Sequence, residues 1–468
     1  MITTTLDPAN PRPMYQQLYQ FIRREIESGR LPAEEKLPSR RKLAAHLKTS
    51  LATVGTAYAQ LTAEGYIRSV PKSGFYVQSF AVHSFPDGPP AALPEARPGT
   101  EPPERYKYDF QTNLVDTNLF PYSIWARLAR KVLSEGGEDI LNSADPQGAP
   151  VLRREISKYL HDFRGINAHP DQIVVGAGSE YLLGLLIQIL GRGRVYGVEN
   201  PGYPKNSKIY LGNDVEIIPI SLDDQGLSAE ELEKSGAEIV HITPSHQFPL
   251  GMVMPVSRRV ALLRWAKEKG GRYILEDDYD SEFRFAGRPI PALQGLDPEK
   301  VIYTNSFTRS LAPSLRISYL VLPPRLLQVY REKYLFYSCP VPGFEQHTLY
   351  RFMSGGHFER HLNRMRNAYK ERRDQLVSAV MKSRLEKSVE VIGSDAGLHF
   401  LLKINNGMSE ERLVATAKAA GVRVYGVTEY CVEKTGKCPR STVVMGYSGF
   451  PSKDINPAVR RLEEAWGG

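Results

Sequence analysis

The chain has 468 residues, long for a single core, so two or more domains are expected. At 41% hydrophobic and 24% charged it has the composition of a soluble protein, with no apolar run long enough to cross a bilayer. The first residues, Met1 to Asp7, lack the basic and apolar regions of a secretion signal, so a cytoplasmic protein with no membrane partner is expected. Three cysteines, Cys339, Cys431 and Cys438, are too few and too scattered for a disulfide framework or a four-ligand zinc site, and buried or incidental thiols are expected. The net charge is +8, yet residues 1–80 carry eleven Lys/Arg against six Asp/Glu. Charge concentrated in one small module points to an anionic partner for that module.

From Pro13 to Ser28, Tyr15, Leu18, Ile22 and Ile26 fall at steps of three and four, which predicts an amphipathic helix closed by Gly29. A second helix is expected to start at Ser39 as N-cap, with Leu43, Ala44 and Leu47 facing inward. After the turn at Lys48, a third helix capped by Thr49 or Ser50 carries Val54, Ala57, Tyr58 and Leu61 on its buried side and stops at Gly65. Two short β-prone runs, Tyr66 to Val70 and Gly74 to Val77, then flank a Pro-Lys-Ser turn and predict a hairpin.

Three helices and a hairpin make a winged helix-turn-helix. The pattern Leu37-Pro-Ser-Arg40-Arg41-x-Leu43-Ala44, then Thr53-Val54, Ala57-Tyr58, Leu61-x-x-Glu64-Gly65-Tyr66 and Ser73-Gly74-Phe75 resembles the GntR family of bacterial regulators. The resemblance implies a double-stranded DNA operator as partner. In such a fold the start of the third helix enters the major groove, and its outward positions here, Ser50, Ala52, Thr53, Gly55 and Thr56, are small or hydroxylic. Arg40, Arg41 and Lys48 are placed to meet phosphates, and Lys72 tips the wing beside Ser73 and Gly74. Where the family often has arginine at the start of the recognition helix, this chain has Leu51, so a contact expected there is lost.

Residues 81–105 contain seven prolines and no apolar period, the composition of a stiffened linker. The expected division is therefore a DNA-binding domain over 1–80, a linker over 81–105 and a large α/β domain over 106–468.

In that domain Asp145-Pro-Gln-Gly148 leads into a helical run through Leu152 and Ile156. The strand Ile173-Val-Val meets a glycine turn, Gly176-Ala-Gly178, and an apolar helix opening at Ser179-Glu180, a helix start able to bind an anion. Glu180 adds a like charge there, tolerated if it points away. Glu199-Asn-Pro-Gly-Tyr203 and Thr243-Pro-Ser-His246-Gln247-Phe248 follow, with His246 expected to be structural. Tyr273-Ile-Leu-Glu-Asp277-Asp-Tyr279 is an apolar strand delivering a carboxylate and a tyrosine at its carboxyl end, where open α/β sheets bind ligands. Asn305-Ser306-Phe-Thr-Arg309, then Arg316, repeat that design after a second strand. Five carboxylates within Glu276 to Glu282 raise a divalent metal, but neighbours on a turn point in different directions; no metal is expected, and the remaining acids read as caps or solvated groups.

These segments resemble the cofactor site of fold-type I aminotransferases, which carry pyridoxal 5'-phosphate (PLP). The resemblance implies that Asp277 meets the pyridine nitrogen and Tyr279 the phenolic oxygen. It implies that Gly178, Ser179, Ser306 and Arg316 hold the phosphate, that Tyr203 lies close to the ring, and that Gln247 stands in for the asparagine that reaches the phenolic oxygen. One position departs: Arg309 stands where the family has its Schiff-base lysine. A guanidinium, with a pKa above about 12, stays protonated and is a very poor nucleophile, though its planar fork still binds anions. The implied binding is noncovalent, with Arg309 as an added anion contact and no catalytic residue.

After Pro323 an Arg-rich helical region is expected to about Ser383, followed by strands at Val389–Ile392, Leu398–Ile404, Val422–Tyr425 and Thr442–Tyr447. Gly449 falls near the position where aminotransferases carry a carboxylate-binding arginine. The expected fold is thus α/β: an N-terminal winged helix-turn-helix, a Pro-rich linker, and a fold-type I aminotransferase-like domain with a large mixed sheet flanked by helices and a small α+β part. This whole-chain arrangement resembles the MocR subfamily of GntR regulators. It implies a homodimeric, head-to-tail, domain-swapped regulator that senses PLP, a PLP-amine adduct or another anionic metabolite. The alternative is an active aminotransferase with an accessory DNA-binding domain, against which Arg309 argues.

Overall fold

The computed structural model describes residues 2–79, 106–137, 140–142, 145–285, 290–433 and 438–467. They belong to two compact units, Met1–Glu104 and Arg105–Gly468. The proline-rich stretch 81–105, read above as a linker, lies outside the described residues.

In the first unit helices Met14–Glu27, Arg40–His46 and Leu51–Ala63 precede strands Ile67–Val70 and Gly74–Val77. The strands pair antiparallel from Ile67 with Val77 to Val70 with Gly74. One core collects Leu18, Ile22, Leu43, Val54, Tyr58, Leu61, Ile67 and Val77. Two serines set the helix starts: the Ser39 hydroxyl accepts from the Lys42 N–H at 3.3 Å and Ser50 accepts from the Thr53 N–H at 3.0 Å. Tyr19, not Tyr15, completes the buried stripe of the first helix, because its hydroxyl donates to Glu64 at 2.5 Å and ties that helix to the end of the third.

The second unit is built on an eight-stranded mixed sheet. Its spatial order is Ile173–Gly176, Ser318–Val321, Val301–Ser306, Tyr273–Asp277, Ile239–Ile242, Val195–Asn200, Glu216–Asp223 and Gly226–Leu227. The central strands run parallel, and Ser318–Val321 runs antiparallel to both neighbours. Helices cover both faces, so successive residues of one strand, Ile302 and Tyr303, enter different apolar cores. A smaller sheet of Val389–Ile392, His399–Ile404, Thr442–Gly446 and Tyr425–Gly426 packs with helices Glu410–Ala419 and Ile455–Trp466 around Phe400, Leu402, Leu413 and Trp466.

Three expectations change. The single helical region after Pro323 is three helices, Pro324–Lys333, Gly343–Ser354 and His357–Met381, divided at Pro340-Val-Pro342 and at Gly356, whose φ is +65°. The run Val422–Tyr425 is split: Val422–Arg423 pairs with Tyr108–Asp109, and Tyr425–Gly426 with Thr442–Gly446. Alternating apolar residues record which side chains are buried, and Val422 and Val424 are, but not which strand lies alongside. Third, Cys431 and Cys438 form a disulfide where buried or incidental thiols were expected; a local pair seven residues apart needs no framework and escapes a count of cysteines.

Gly148 shows how tightly the chain leading into the helix Pro150–Arg164 approaches the sheet. Its φ is +97°, and a Cβ there would lie 2.6 Å from the Cβ of Val175. Gly148→Ala is expected to lower the unfolding free energy by about 1–3 kcal/mol in a denaturant titration. An unchanged midpoint would show that this approach is not required.

Candidate functional site

Strands Val301–Ser306 and Tyr273–Asp277 are parallel, with Thr304 opposite Asp277, so their carboxyl ends open side by side. There a cavity of about 240 Å³ is lined by Ser179, Tyr203, Asp277, Tyr279, Ser306, Arg309 and Arg316, among others. Seven of the nine residues expected to form a cofactor site are thus brought together. Gly178 contributes space. At φ +96° its Cβ would stand 2.3 Å from the Arg316 guanidinium, so any side chain there would displace that arginine.

Gln247 does not line the cavity. It is buried, and its amide nitrogen donates to the carbonyls of Pro201 at 3.1 Å and Phe248 at 2.6 Å and to Glu199 at 3.2 Å, while its oxygen accepts from the Leu250 N–H at 3.0 Å. Its hydrogen-bonding capacity is spent on its own loop and on the neighbouring segment Glu199 to Pro201. Phe248 faces the cavity instead, edge-on to Tyr203 and Tyr279.

At one end of the cavity the helix Ser179–Leu190 begins, and Arg316 donates to the Ala177 carbonyl at 3.1 Å beside it. Glu180 does not point away. One carboxylate oxygen accepts from Arg316 at 2.5 Å and the other from Lys205, a cation the sequence pattern did not single out. Burial raises the Glu180 carboxyl, but Arg316 and Lys205 outweigh it and bring it down to about 2. Ser306 caps the following turn: its oxygen accepts from the Thr308 N–H at 3.0 Å, and its hydroxyl donates to the Thr308 hydroxyl at 2.6 Å.

At the other end Asp277 is half-buried, 3.4 Å from His241 Nε2, while His241 Nδ1 meets the Tyr210 hydroxyl at 2.8 Å. His241 was legible only as the one polar residue in a wholly buried strand, Ile239–Ile242. Tyr279 has its hydroxyl 3.1 Å from His246 Nδ1, and the same nitrogen lies 2.8 Å from Asp280. Burial, then Asp280, holds the Tyr279 phenol well above its ordinary value, so it stays a hydrogen-bond donor. Arg309 donates to the carbonyl of Asn113, another lining residue not foreseen. Burial pulls its guanidinium below its ordinary value, against the opposing pull of Tyr203, Tyr279, Asp280 and Asp277.

The acids around Asp277 are not solvated, and only Glu276 serves as a cap, on a backbone turn. Glu276, Asp278, Asp280 and Glu282 are buried, each with its own partner. Glu276 accepts from the N–H groups of Leu293 and Gln294, both at 2.8 Å; Asp278 pairs with Arg164; Asp280 meets His246; and Glu282 accepts from Tyr159 at 3.1 Å. Among the described residues no group of three or more His, Cys, Asp or Glu is arranged to hold a metal ion. At Gly449 a Cβ would come within 2.5 Å of Leu114, so the apolar side chain of Leu114 takes the room a longer residue would need.

In the first unit Arg40, Arg41, Lys48, Ser50, Thr56 and Lys72 are exposed, while Thr53, Ser73 and Gly74 are half-buried. Ser50 and Thr53 share a hydroxyl contact of 2.8 Å, and Ser73 meets the Tyr76 hydroxyl at 2.6 Å. Arg40 lies 6.0 Å from the centre of the Phe75 ring and 3.8 Å from where a Gly55 Cβ would be, so one cation spans the second helix, the third helix and the hairpin. Leu51 is 49% exposed at the start of the third helix.

With this geometry in place, the comparisons with known proteins are direct. Residues 14–77 match the gntR family of bacterial regulatory proteins, and residues 111–441 match aminotransferase class I and II. The chain is 38% identical to the uncharacterized HTH-type transcriptional regulator YhdI of Bacillus subtilis, covering 99% of this chain and 98% of the relative. It is 32% identical to the probable rhizopine catabolism regulatory protein MocR of Rhizobium meliloti, covering 97% and 94%. The crystal structure of the multiple substrate aminotransferase from Thermococcus profundus superposes with a TM-score of 0.68 at 27% identity, covering 77% of this chain and 91% of that one. The chain is a GntR-type helix-turn-helix joined to a class I and II aminotransferase domain. It belongs to the MocR-type GntR regulators.

Behind the cavity, burial pushes the Glu199 carboxyl from 4.5 up to about 7, against hydrogen bonds from Thr243 and Gln247. A raised acid takes up a proton on folding, so its contribution is full below 4.5 and is lost as pH rises through 7. Glu199→Gln should flatten this part of the stability profile, narrowing the loss in unfolding free energy between about pH 5 and about pH 8 by roughly 2 kcal/mol. Urea titrations at the two pH values measure it, and an unaltered slope would reject the assignment.

Proposed function

We propose that this DNA-binding transcriptional regulator uses its aminotransferase-like unit as a sensor, holding PLP, a PLP-amine adduct or a related anionic metabolite without a covalent bond. The observation that carries the proposal is Arg309, in the cavity with Asp277 and Tyr279 where an aminotransferase needs a lysine. The residues present fit the group. A carboxylate backed by His241 stands at one end, and at the other stand a helix start, Ser179, Ser306 and Arg316, with Gly178 leaving the room that a Cβ would fill. Arg316, Ser179 and Ser306 would hold a phosphate, Asp277 a protonated ring nitrogen, and Tyr279 a phenolic oxygen, with Tyr203 beside the ring. When bound, PLP supplies an electron-withdrawing ring and an aldehyde that reacts with amines.

Arg309 binds but does not exchange protons. A guanidinium remains charged, so position 309 supplies neither the nucleophile nor the acid/base that amino-group transfer requires. A pure scaffold would have little use for Asp277 paired with His241 and Tyr279 with His246 at a cavity wall, and this supports a working pocket over a merely structural domain. Leu114 against Gly449 supports a ligand that does not depend on an arginine at that position. For the DNA unit, Arg40, Arg41, Lys48 and Lys72 would meet phosphates, while Ser50, Thr53 and Thr56 face the groove and Ser73 and Gly74 shape the wing. A homodimer joined head to tail would present two such units to paired sites, the linker 81–105 carrying the coupling between pocket and DNA.

Mixing the purified protein with PLP, reducing with borohydride and weighing the chain is expected to leave wild type unmodified, whereas Arg309→Lys gains a pyridoxyl mass on the pocket peptide. A pyridoxyl mass on wild type at that peptide would refute noncovalent binding. A footprint over the protein's own promoter region is expected to show paired protected sites. The Arg40→Ala/Arg41→Ala chain should lose them by tenfold or more in affinity, on the order of one to two contacts at about 1 kcal/mol each; undiminished protection contradicts the assigned contacts.

A further inference from the structure

Resting on the reading of the cavity as a phosphate-bearing ligand's site, we infer that Glu180 is a built-in competitor for that phosphate. Its carboxylate holds Arg316 before the ligand arrives, yields it when the phosphate binds, and is kept in place meanwhile by Lys205. Three observations carry this. The two carboxylate oxygens of Glu180 are divided between two cations, Oε2 on Arg316 at 2.5 Å and Oε1 on Lys205, so either contact can be surrendered without the other. The pair sits over the helix start itself, since a Cβ on Gly178 would be 2.3 Å from Arg316 and 2.9 Å from Glu180 Oε2. Arg316 also donates to the Ala177 carbonyl at 3.1 Å, a tether that keeps the guanidinium at the helix start once Glu180 lets go.

The electrostatics follow from these positions. A helix start with free N–H groups attracts one anion well, and here the chain supplies its own. An incoming phosphate must share or take Arg316 within a few ångströms of a carboxylate that stays ionised. Lys205 lowers that cost by neutralising the displaced carboxylate. Glu180 therefore weakens every phosphate-bearing ligand and leaves the unphosphorylated counterpart almost untouched. It is a specificity-determining residue that sets the sensor's working range, and Lys205 is its positioning partner.

The test titrates the full-length protein with PLP, with pyridoxal and with inorganic phosphate, by calorimetry. Because the ion pair is half exposed and screened, Glu180→Gln is expected to tighten PLP by about fivefold or more, with the gain shrinking as salt is raised, while pyridoxal moves by less than about twofold. Lys205→Ala is expected to weaken PLP in the wild-type chain and to have little effect in the Glu180→Gln chain. A structural role for Glu180 would instead give weaker binding of all probes, and that result overturns the inference, as does an equal gain for pyridoxal. If Glu180→Gln tightens inorganic phosphate but neither chain binds PLP, the competition stands and the pyridine reading of the site falls. If Glu180→Gln binds none of the three probes, both are rejected.

Discussion

The cavity depends on one buried ion pair. Arg164, at the end of the helix Pro150–Arg164, reaches Asp278 through two guanidinium nitrogens, at 2.7 Å to one carboxylate oxygen and 3.0 Å to the other. Its remaining capacity goes to the Ile290 carbonyl at 2.5 Å and the Ser245 hydroxyl at 2.8 Å. Asp278 in turn accepts from the hydroxyls of Tyr303 at 2.6 Å and Ser281 at 2.8 Å. Removing one member of such a pair leaves an uncompensated buried charge, a loss of about 3–5 kcal/mol. Because Asp278 is drawn inward beneath the sheet, Asp277 and Tyr279 on either side of it face the cavity.

The same logic extends outward from that pair. Buried polar groups must find partners, and the acidic run Glu276 to Glu282 distributes its carboxylates among a backbone turn, an arginine, a histidine and a tyrosine. Where a carboxyl lacks a cation, burial decides its state: Glu199 and Glu282 are both pushed up to about 7. Where cations are near, as at Glu180, they win. The pocket is thus anionic at Asp277 and cationic at Arg316 and Lys205, and Arg309 adds a third cation.

The DNA-binding unit and the aminotransferase-like unit obey different constraints. The first has a small core, and its outward face is free to carry charge, with Arg40 laid against Phe75 and Gly55. The second must keep backbone segments in close register around the cavity. Leu114 against Gly449 and the Arg309 contact to Asn113 both pin the chain segment 113–114 at the pocket's margin. Substitutions near that margin act on the pocket even though the segment lies far from it in sequence.

The sequence by itself determined what local pattern can carry. The three helices and wing follow from apolar spacing and capping serines. The Asp277–Tyr279 and Ser306–Arg316 segments follow from apolar strands running into polar turns, and the arginine at position 309 is read directly from the chain. Tertiary structure alone decided which polar side chains face the cavity. Gln247 turned into its own loop, Glu180 turned toward Arg316, and Lys205, His241 and Asn113 arrived from segments that no motif marks. The physical reason is that a backbone pattern fixes where a side chain starts, whereas its direction is settled by whichever buried partner completes its hydrogen bonds, and that partner usually lies dozens of residues away.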